Sequence, residues 1–186
     1  MGPSGSGKST LIDVICCLLY PKSGGVYLDD KLIDQSLIDS WHNKIGYISQ
    51  KNYLLNGTIL QNIAFAEEKK DINMNSLNNA IKMSKLNQLI NSHSDGLNFY
   101  IGEDGKNLSG GQRQRIVLAR TIYKQAKIIF LDEATSALDE QTEKEIFEDL
   151  RKNFHGKTTL IISTHRKNLL NFADQIIDIN DLKKKQ

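Results

Sequence analysis

The octapeptide at residues 2–9, Gly-Pro-Ser-Gly-Ser-Gly-Lys-Ser, constrains this chain more than anything else in it. It fits G-x-x-x-x-G-K-[ST] and runs directly into an apolar helical stretch. Glycines let the backbone curl until successive N–H groups point at one centre, and the positive end of the following helix adds to the same anion site. Lys8 supplies a point charge for β- and γ-phosphates, and the Ser9 hydroxyl suits Mg²⁺. Such a loop sits between a strand and a helix. Only Met1 precedes Gly2 here, so this reading expects the feeding strand upstream and takes the chain to be truncated at its N-terminus.

The rest of the chain alternates in the way such a loop requires. Leu11–Tyr20 predicts a helix stopped by Pro21 and the Ser23-Gly24-Gly25 turn. Val26–Leu28 predicts a short strand turned back at Asp29-Asp30, and Ile45–Ser49 a buried one. Between about 51 and 124 the apolar positions fall at helical spacing (Leu77, Ala80, Ile81, Ser84, Leu86, Leu89, Ile90), which predicts a helical lobe. Ile128–Leu131 predicts a central strand covered on both faces, and Thr158–Ser163 another. Glu140–Lys152 predicts an amphipathic helix facing inward with Ile146, Phe147 and Leu150, and Gln175–Ile179 a last strand. The expected architecture is an α/β core with a parallel sheet, about 1–50 and 125–186, carrying an inserted helical subdomain at about 51–124.

Composition narrows the class. With 39% hydrophobic and 25% charged residues the chain reads as a soluble globular protein, and no apolar run approaches the ~20 residues of a membrane helix. The start of the chain lacks the basic and then apolar pattern of a secretory signal. Lys and Arg outnumber Asp and Glu by 24 to 22, a balance of +2 that argues against nucleic acid as the partner. The only cysteines, Cys16 and Cys17, are adjacent, which suits neither a disulfide framework nor zinc spacing. The expectation is an intracellular domain.

Two further segments carry chemistry. Asp132-Glu133 follows the apolar run Ile128–Leu131, placing two carboxylates at the C-terminal end of a buried strand, the edge where open α/β sheets bind ligands. Asp132 suits Mg²⁺ held through a water, and Glu133 can orient and polarise a water attacking a γ-phosphate. Leu108-Ser109-Gly110-Gly111-Gln112 opens a helix, and small residues at a helix start make an anion-accepting surface. One phosphate loop already satisfies one nucleotide, so a second such surface suggests a site completed by another copy of the chain.

Taken in order, GPSGSGKST, ISQ, LSGGQRQR, IIFLDEATSALD and STH resemble the motifs of the ATP-binding-cassette (ABC) ATPase domain, spanning residues 2–165. The resemblance implies a P-loop NTPase, RecA-like parallel-sheet core with an inserted α-helical subdomain, two such domains enclosing two ATP molecules head to tail. By motif it gives Gly2, Pro3, Ser4, Gly5, Ser6, Gly7, Lys8, Ser9 and Thr10 the Walker A role. Gln50 becomes the Q-loop residue, counted with Glu133 and His165 as catalytic and with Ser9 and Asp132 as a Mg²⁺ neighbour. Ser109, Gly110, Gly111 and Gln112 follow Leu108 in the signature, and Asp132 and Glu133 become the Walker B Asp and the catalytic Glu. Residues 136–139, ending in Asp139, resemble the D-loop, and His165 resembles the switch histidine.

Two stretches resemble exporters within that family. IGYISQKNYLLNGTILQNIAF (45–65) is similar to the segment that meets coupling helices, and YIGEDGKNLSGGQ (100–112) is similar to the exporters' X-loop, with Glu103 its acidic residue. The implied whole is an ATPase driving export through a transmembrane partner domain, with a second nucleotide-binding domain, at the cytoplasmic face of a membrane. The family's adenine-stacking aromatic, which lies upstream of Walker A, has no counterpart in these residues. A soluble ABC ATPase of DNA repair or translation is the first alternative, although no coiled-coil insertion or second cassette is seen; a non-catalytic or inert nucleotide-binding module is the other.

Overall fold

The run Ile128–Leu131 needs cover on both faces, and the fold is organised around it. The structure, a computed structural model, describes residues 1–2, 5–51 and 53–183. In chain order its regular elements are α1 (Lys8–Ile15), β1 (Tyr27–Leu28), β2 (Lys31–Leu32), α2 (Ile38–Lys44), β3 (Ile45–Ile48), α3 (Ile59–Ile63), α4 (Met74–Met83), α5 (Asn87–Asn91), α6 (Gly110–Tyr123), β4 (Ile128–Asp132), α7 (Glu140–Phe154), β5 (Thr159–Ser163) and α8 (Ile179–Lys183). They form two compact units, one of Met1–Ser49, Ala126–Glu133 and Thr158–Gln186, the other of Gln50–Gln125 and Ala134–Lys157.

In the first unit β4 lies between β3 and β5, parallel to both, with Tyr47 opposite Phe130 and Asp132 opposite Ser163. Phe130 is 0% exposed and packs with Ile12, Cys16, Trp41 and Ile45, so α1 and α2 cover the sheet there. Truncating a ring so placed costs ~3–5 kcal/mol. β1 and β2 form a separate antiparallel hairpin, Leu28 opposite Lys31, and the turn between them holds both Asp29 and Asp30 at positive φ.

Two expectations in this unit need correction. α1 ends at Ile15 rather than running to Tyr20. The Cys17 N–H bonds to the Val14 carbonyl at 2.9 Å and the Leu18 N–H to the Asp13 carbonyl at 2.8 Å, with Cys17 at φ 56°. That is a Schellman ending with cysteine in the left-handed position glycine usually takes. From α2, the Trp41 indole N–H donates to the Ile15 carbonyl at 3.0 Å and the His42 Nε2 lies 2.8 Å from the Cys16 carbonyl, which satisfies the orphaned end of α1. The expected strand at Gln175–Ile179 is not a ladder strand. Its Ile177 carbonyl accepts from the Met1 amino group and its Ile179 N–H donates to the Met1 carbonyl at 2.9 Å, while Ile179 already opens α8.

The second unit is helical. Leu77, Ala80, Ile81, Ser84, Leu86 and Leu89 are buried and Ile90 half-buried, as helical spacing requires. α4 packs on α6 and α7, and α3 on α6. Residues 134–157, placed with the core in the sequence reading, cluster here because α7 turns Ile146, Phe147 and Leu150 inward and packs on α4. Lys85, at the end of α4, adds ion pairs with Asp149 at 2.8 Å and Glu145 at 3.8 Å. The largest effect raising the Lys85 ammonium above its ordinary value is its hydrogen bond to Asp149.

The two exporter-like stretches meet within this unit. Ile59 N–H donates to the Phe99 carbonyl at 3.1 Å and Ile101 N–H to the Gly57 carbonyl at 2.9 Å, with Thr58 and Tyr100 bridged antiparallel. Beneath them the fully buried Asn62 accepts from Leu55 N–H at 2.8 Å and Arg120 Nη2 at 2.9 Å. Its amide donates to the carbonyls of Leu55 at 3.1 Å and Thr58 at 3.0 Å. Arg120, whose guanidinium is lowered from its ordinary value by burial, also donates to the Asn62 and Tyr53 carbonyls and stacks 5.1 Å over Phe65.

Candidate functional site

The glycine loop of the first unit has the backbone its sequence demands. Gly5 (φ 76°) and Gly7 (φ 98°) occupy the left-handed region, and Gly7 caps α1 directly before Lys8. A Cβ at Gly2 would stand 2.6 Å from Ser6 Oγ, so the loop closes tightly on itself there. Lys8 is buried and its ammonium donates to the Gly2 carbonyl at 2.9 Å, holding the charge over the loop. Ser9 and Thr10, in the first turn of α1, are exposed. Pro3 and Ser4 lie outside the described residues.

The acidic edge is in the same unit. Asp132, 2% exposed, ends β4, and Glu133 follows at φ 49°, a conformation that a non-glycine residue adopts at a cost and that clusters at functional sites. Glu133 N–H donates to the Ser163 carbonyl at 3.1 Å, so β5 steers the turn that carries its carboxylate. The Oε1 of that carboxylate lies 3.3 Å from His165 Nδ1. The two residues given catalytic roles from separate motifs are therefore brought together, with His165 61% exposed and its ring accessible.

Of the buried polar side-chain atoms without a partner among the described residues, Arg115 Nε lies on α6 and the others share one place. Asp132 Oδ1, Ser6 Oγ and Ser163 Oγ are buried without a hydrogen-bond partner among the described residues. Orphaned groups of this kind are rare in folded proteins and need a reason. Here they belong to the glycine loop and the carboxyl ends of β4 and β5. Behind them Tyr47 on β3 donates to Asp13 of α1 at 2.9 Å, and burial first, then Asp13, holds its phenol above the ordinary range. Burial also pushes the Cys16 thiol up to about 12, with Asp13 and Cys17 adding, which makes it an inert core group.

The remaining sequence candidates belong to the second unit. Gln50 is exposed at its first residue. Ser109 caps α6 in a reciprocal box, its Oγ accepting from Gln112 N–H at 3.2 Å and its N–H donating to Gln112 Oε1 at 2.7 Å. Gly110 and Gly111 form the first turn. Asp139 caps α7 by accepting from Thr142 N–H at 2.9 Å, and that bond is the main cause of its lowered carboxyl pKa. Glu103 is exposed on a 3-10 turn over Glu103–Gly105. Sequence reasoning passed over Gln114 and Asn62. Both are polar side chains at buried positions of otherwise apolar helix faces, the one signal that would have flagged them.

Comparison with known proteins agrees with the motifs. A family model described as ABC transporter matches residues 1–136. The chain belongs to the ABC transporter family. It is 41% identical over 179 residues to an ATP-dependent lipid A-core flippase of Ralstonia nicotianae, covering 95% of this chain and 30% of that one. It is 38% identical over 182 residues to the ATP-dependent permease MDL1 of Candida albicans, covering 97% of this chain and 26% of that one. Among solved structures, that of a bacterial Atm1-family ABC exporter with ATP bound superposes with a TM-score of 0.83 at 31% identity, over 99% of this chain and 34% of that one. The fold is the nucleotide-binding-domain fold of ABC transporters, and the chain spans about a third or less of the length of these relatives. No helix among the described residues is long and apolar enough to cross a membrane.

Proposed function

We propose that this chain binds and hydrolyses ATP as the nucleotide-binding part of an ABC exporter, driving movement of a substrate through a transmembrane partner domain at the cytoplasmic face of a membrane. One observation carries the reading: Glu133 and His165 lie 3.3 Å apart at the carboxyl edge of the sheet, beside a buried Asp132 whose Oδ1 has no hydrogen-bond partner among the described residues. In this reading the N–H groups of the Gly5–Ser9 loop and the Lys8 ammonium hold the β- and γ-phosphates. Glu133 orients the attacking water and accepts its proton, and His165, in the tautomer that carries hydrogen on Nδ1, donates to Glu133 Oε1 and fixes that carboxylate in place.

The residues fit Mg²⁺, which takes one or two carboxylates with hydroxyls, waters and substrate phosphates rather than an all-protein cage. Asp132 with its orphaned oxygen, and Ser9, would hold it, with Gln50 the third candidate. When bound, Mg²⁺ neutralises charge on the phosphate oxygens. Ser109–Gln112 and Asp139 act on the nucleotide of a second, head-to-tail copy. The domain division this reading proposes is a core of about 1–50 and 125–186 and a helical subdomain of about 51–124, although residues 134–157 cluster with the helices. The pairing of residues 57–59 with 99–101 supports a membrane partner, because it joins both exporter-like stretches into one surface.

The test is Glu133→Gln in the full chain. It preserves shape and removes the carboxylate, so ATP binding should persist, turnover should stop, and an ATP-bound pair of chains should accumulate on size exclusion. Turnover near the wild-type rate would remove Glu133 from the role.

A further inference from the structure

We propose that Gln114 is a positioning residue that fastens the 136–139 loop to the start of α6, so that the Ser109–Gln112 segment and this loop move as one piece. The proposal rests on the two-copy ATPase reading and gives a role to a residue of the LSGGQRQR run, beyond Ser109–Gln112, that the reading leaves without one.

Gln114 is buried on the first turns of α6 and uses both ends of its amide on one target. Its Nε2 donates to Ser136 Oγ at 3.2 Å, and its Oε1 accepts from Ala137 N–H at 2.9 Å. The loop is pinned at its flanks as well. Thr135 Oγ1 donates to the buried Glu143 at 2.6 Å, Leu138 N–H donates to the Thr135 carbonyl at 3.0 Å, and Asp139 caps α7. Gln114 reaches the middle of this loop from α6.

Gly110 and Gly111 provide the seat. A Cβ at Gly111 would stand 3.1 Å from the Ala137 carbonyl oxygen and 3.3 Å from Leu138 Cδ2, and one at Gly110 would stand 3.3 Å from Ala137 Cβ. The glycines therefore permit an intrachain approach of backbone to loop, whatever they do towards a nucleotide. Ser136 lies three residues after Glu133 in the chain. Gln114 thus fixes the Ser109–Gln112 segment against residues 136 and 137, which follow Glu133 closely in the chain. Gln114 touches no reacting atom in this scheme. Its effect should fall on kcat and spare KM.

The experiment compares Gln114→Met, Gln114→Glu, Ser136→Ala and the Gln114→Met/Ser136→Ala double variant in the full chain, with Glu133→Gln as reference. Turnover is measured against MgATP concentration, and melting temperature alongside. Methionine keeps the volume and loses both bonds, so kcat should fall by roughly 10- to 100-fold, the scale of an ångström-level misplacement, with KM little changed. Glutamate can accept from both Ser136 and Ala137 and should recover most of the loss. The double variant should lose less than the product of the two single losses, because the Gln114–Ser136 bond can be lost only once. The proposal is overturned if Gln114→Met turns over normally while Glu133→Gln is inactive, or if its loss merely tracks a smaller folded fraction with kcat per folded chain unchanged. Continued turnover by Glu133→Gln would instead overturn the ATPase reading on which the proposal stands.

Discussion

Asn62→Ala isolates a buried polar network whose geometry is complete enough to give a magnitude. The substitution removes four hydrogen bonds at once: those from Leu55 N–H and Arg120 Nη2, and those to the Leu55 and Thr58 carbonyls. The Thr58 carbonyl keeps its helical bond from Asn62 N–H at 3.1 Å, and Arg120 keeps its bonds to the Asn62 and Tyr53 carbonyls. What is stranded is the Leu55 peptide, beside a Leu54 side chain that is itself buried. At ~1–3 kcal/mol for each stranded buried group, and in the lower part of that range because Leu55 is only half-buried, the two groups cost about 2–4 kcal/mol. Since every 1.4 kcal/mol is tenfold, amide exchange across residues 53–65 should quicken by roughly 30- to 700-fold. Hydrogen exchange read by mass spectrometry on that peptide, in the full chain, measures it directly. Asn62→Asp should not rescue the site, despite offering Arg120 a charge, because a carboxylate cannot donate to the two carbonyls. Exchange within about threefold of wild type, for either variant, would mean the network carries no net stability and refute the reasoning.

Three further outcomes follow from the geometry. Lys8→Ala should weaken ATP binding by each chain, and Ser109→Arg should leave that binding intact while blocking the pairing of two chains; equilibrium binding and light scattering separate the two, and equal loss of binding would remove the two-copy site. The Cys16 thiol, with a folded pKa pushed up from 9.0 to about 12, gives stability fully present below pH 9.0 and lost as pH rises towards 12, where the unfolded thiol ionises and the folded one does not. Cys16→Ala should therefore flatten the alkaline fall in melting temperature, and an unchanged slope would assign that fall to Tyr47 or elsewhere.

What was legible in the sequence was what local chemistry decides. The glycine loop, the apolar run of β4 ending in Asp132-Glu133 and the helical spacing of α4 each rest on a pattern of adjacent or periodic residues, and each stands where that pattern puts it. What was not legible depended on partners distant in the chain. α1 stops at Ile15 because Trp41 and His42 satisfy its last carbonyls and because Cys17 accepts a left-handed backbone, and neither fact has a glycine or asparagine to announce it. Gln175–Ile179 has a strand's composition, but a strand also needs a neighbour over several residues, and among the described residues Ile177 and Ile179 bond across to Met1. α7 shows its apolar face in the sequence without showing what that face meets.

The candidate site adds a subtler difficulty, because several of its residues are fully explained by the fold before any ligand is considered. Ser109 is a helix cap and Gly111 is the seat for Ala137, so ordinary structural reasoning would stop there. The two kinds of role do not compete for the same atoms. A serine hydroxyl has one proton to give and two lone pairs to fill. In the cap Ser109 Oγ accepts from Gln112 N–H at 3.2 Å, which uses a lone pair and leaves the hydroxyl proton to be donated. A phosphate oxygen takes that proton and nothing else from a serine. The cap also fixes the direction in which the hydroxyl can offer it, since Gln112 holds Ser109 from both its N–H and its side chain. Local folding and the proposed recognition of a second copy's nucleotide therefore draw on the same side chain, the first setting the geometry that the second would use.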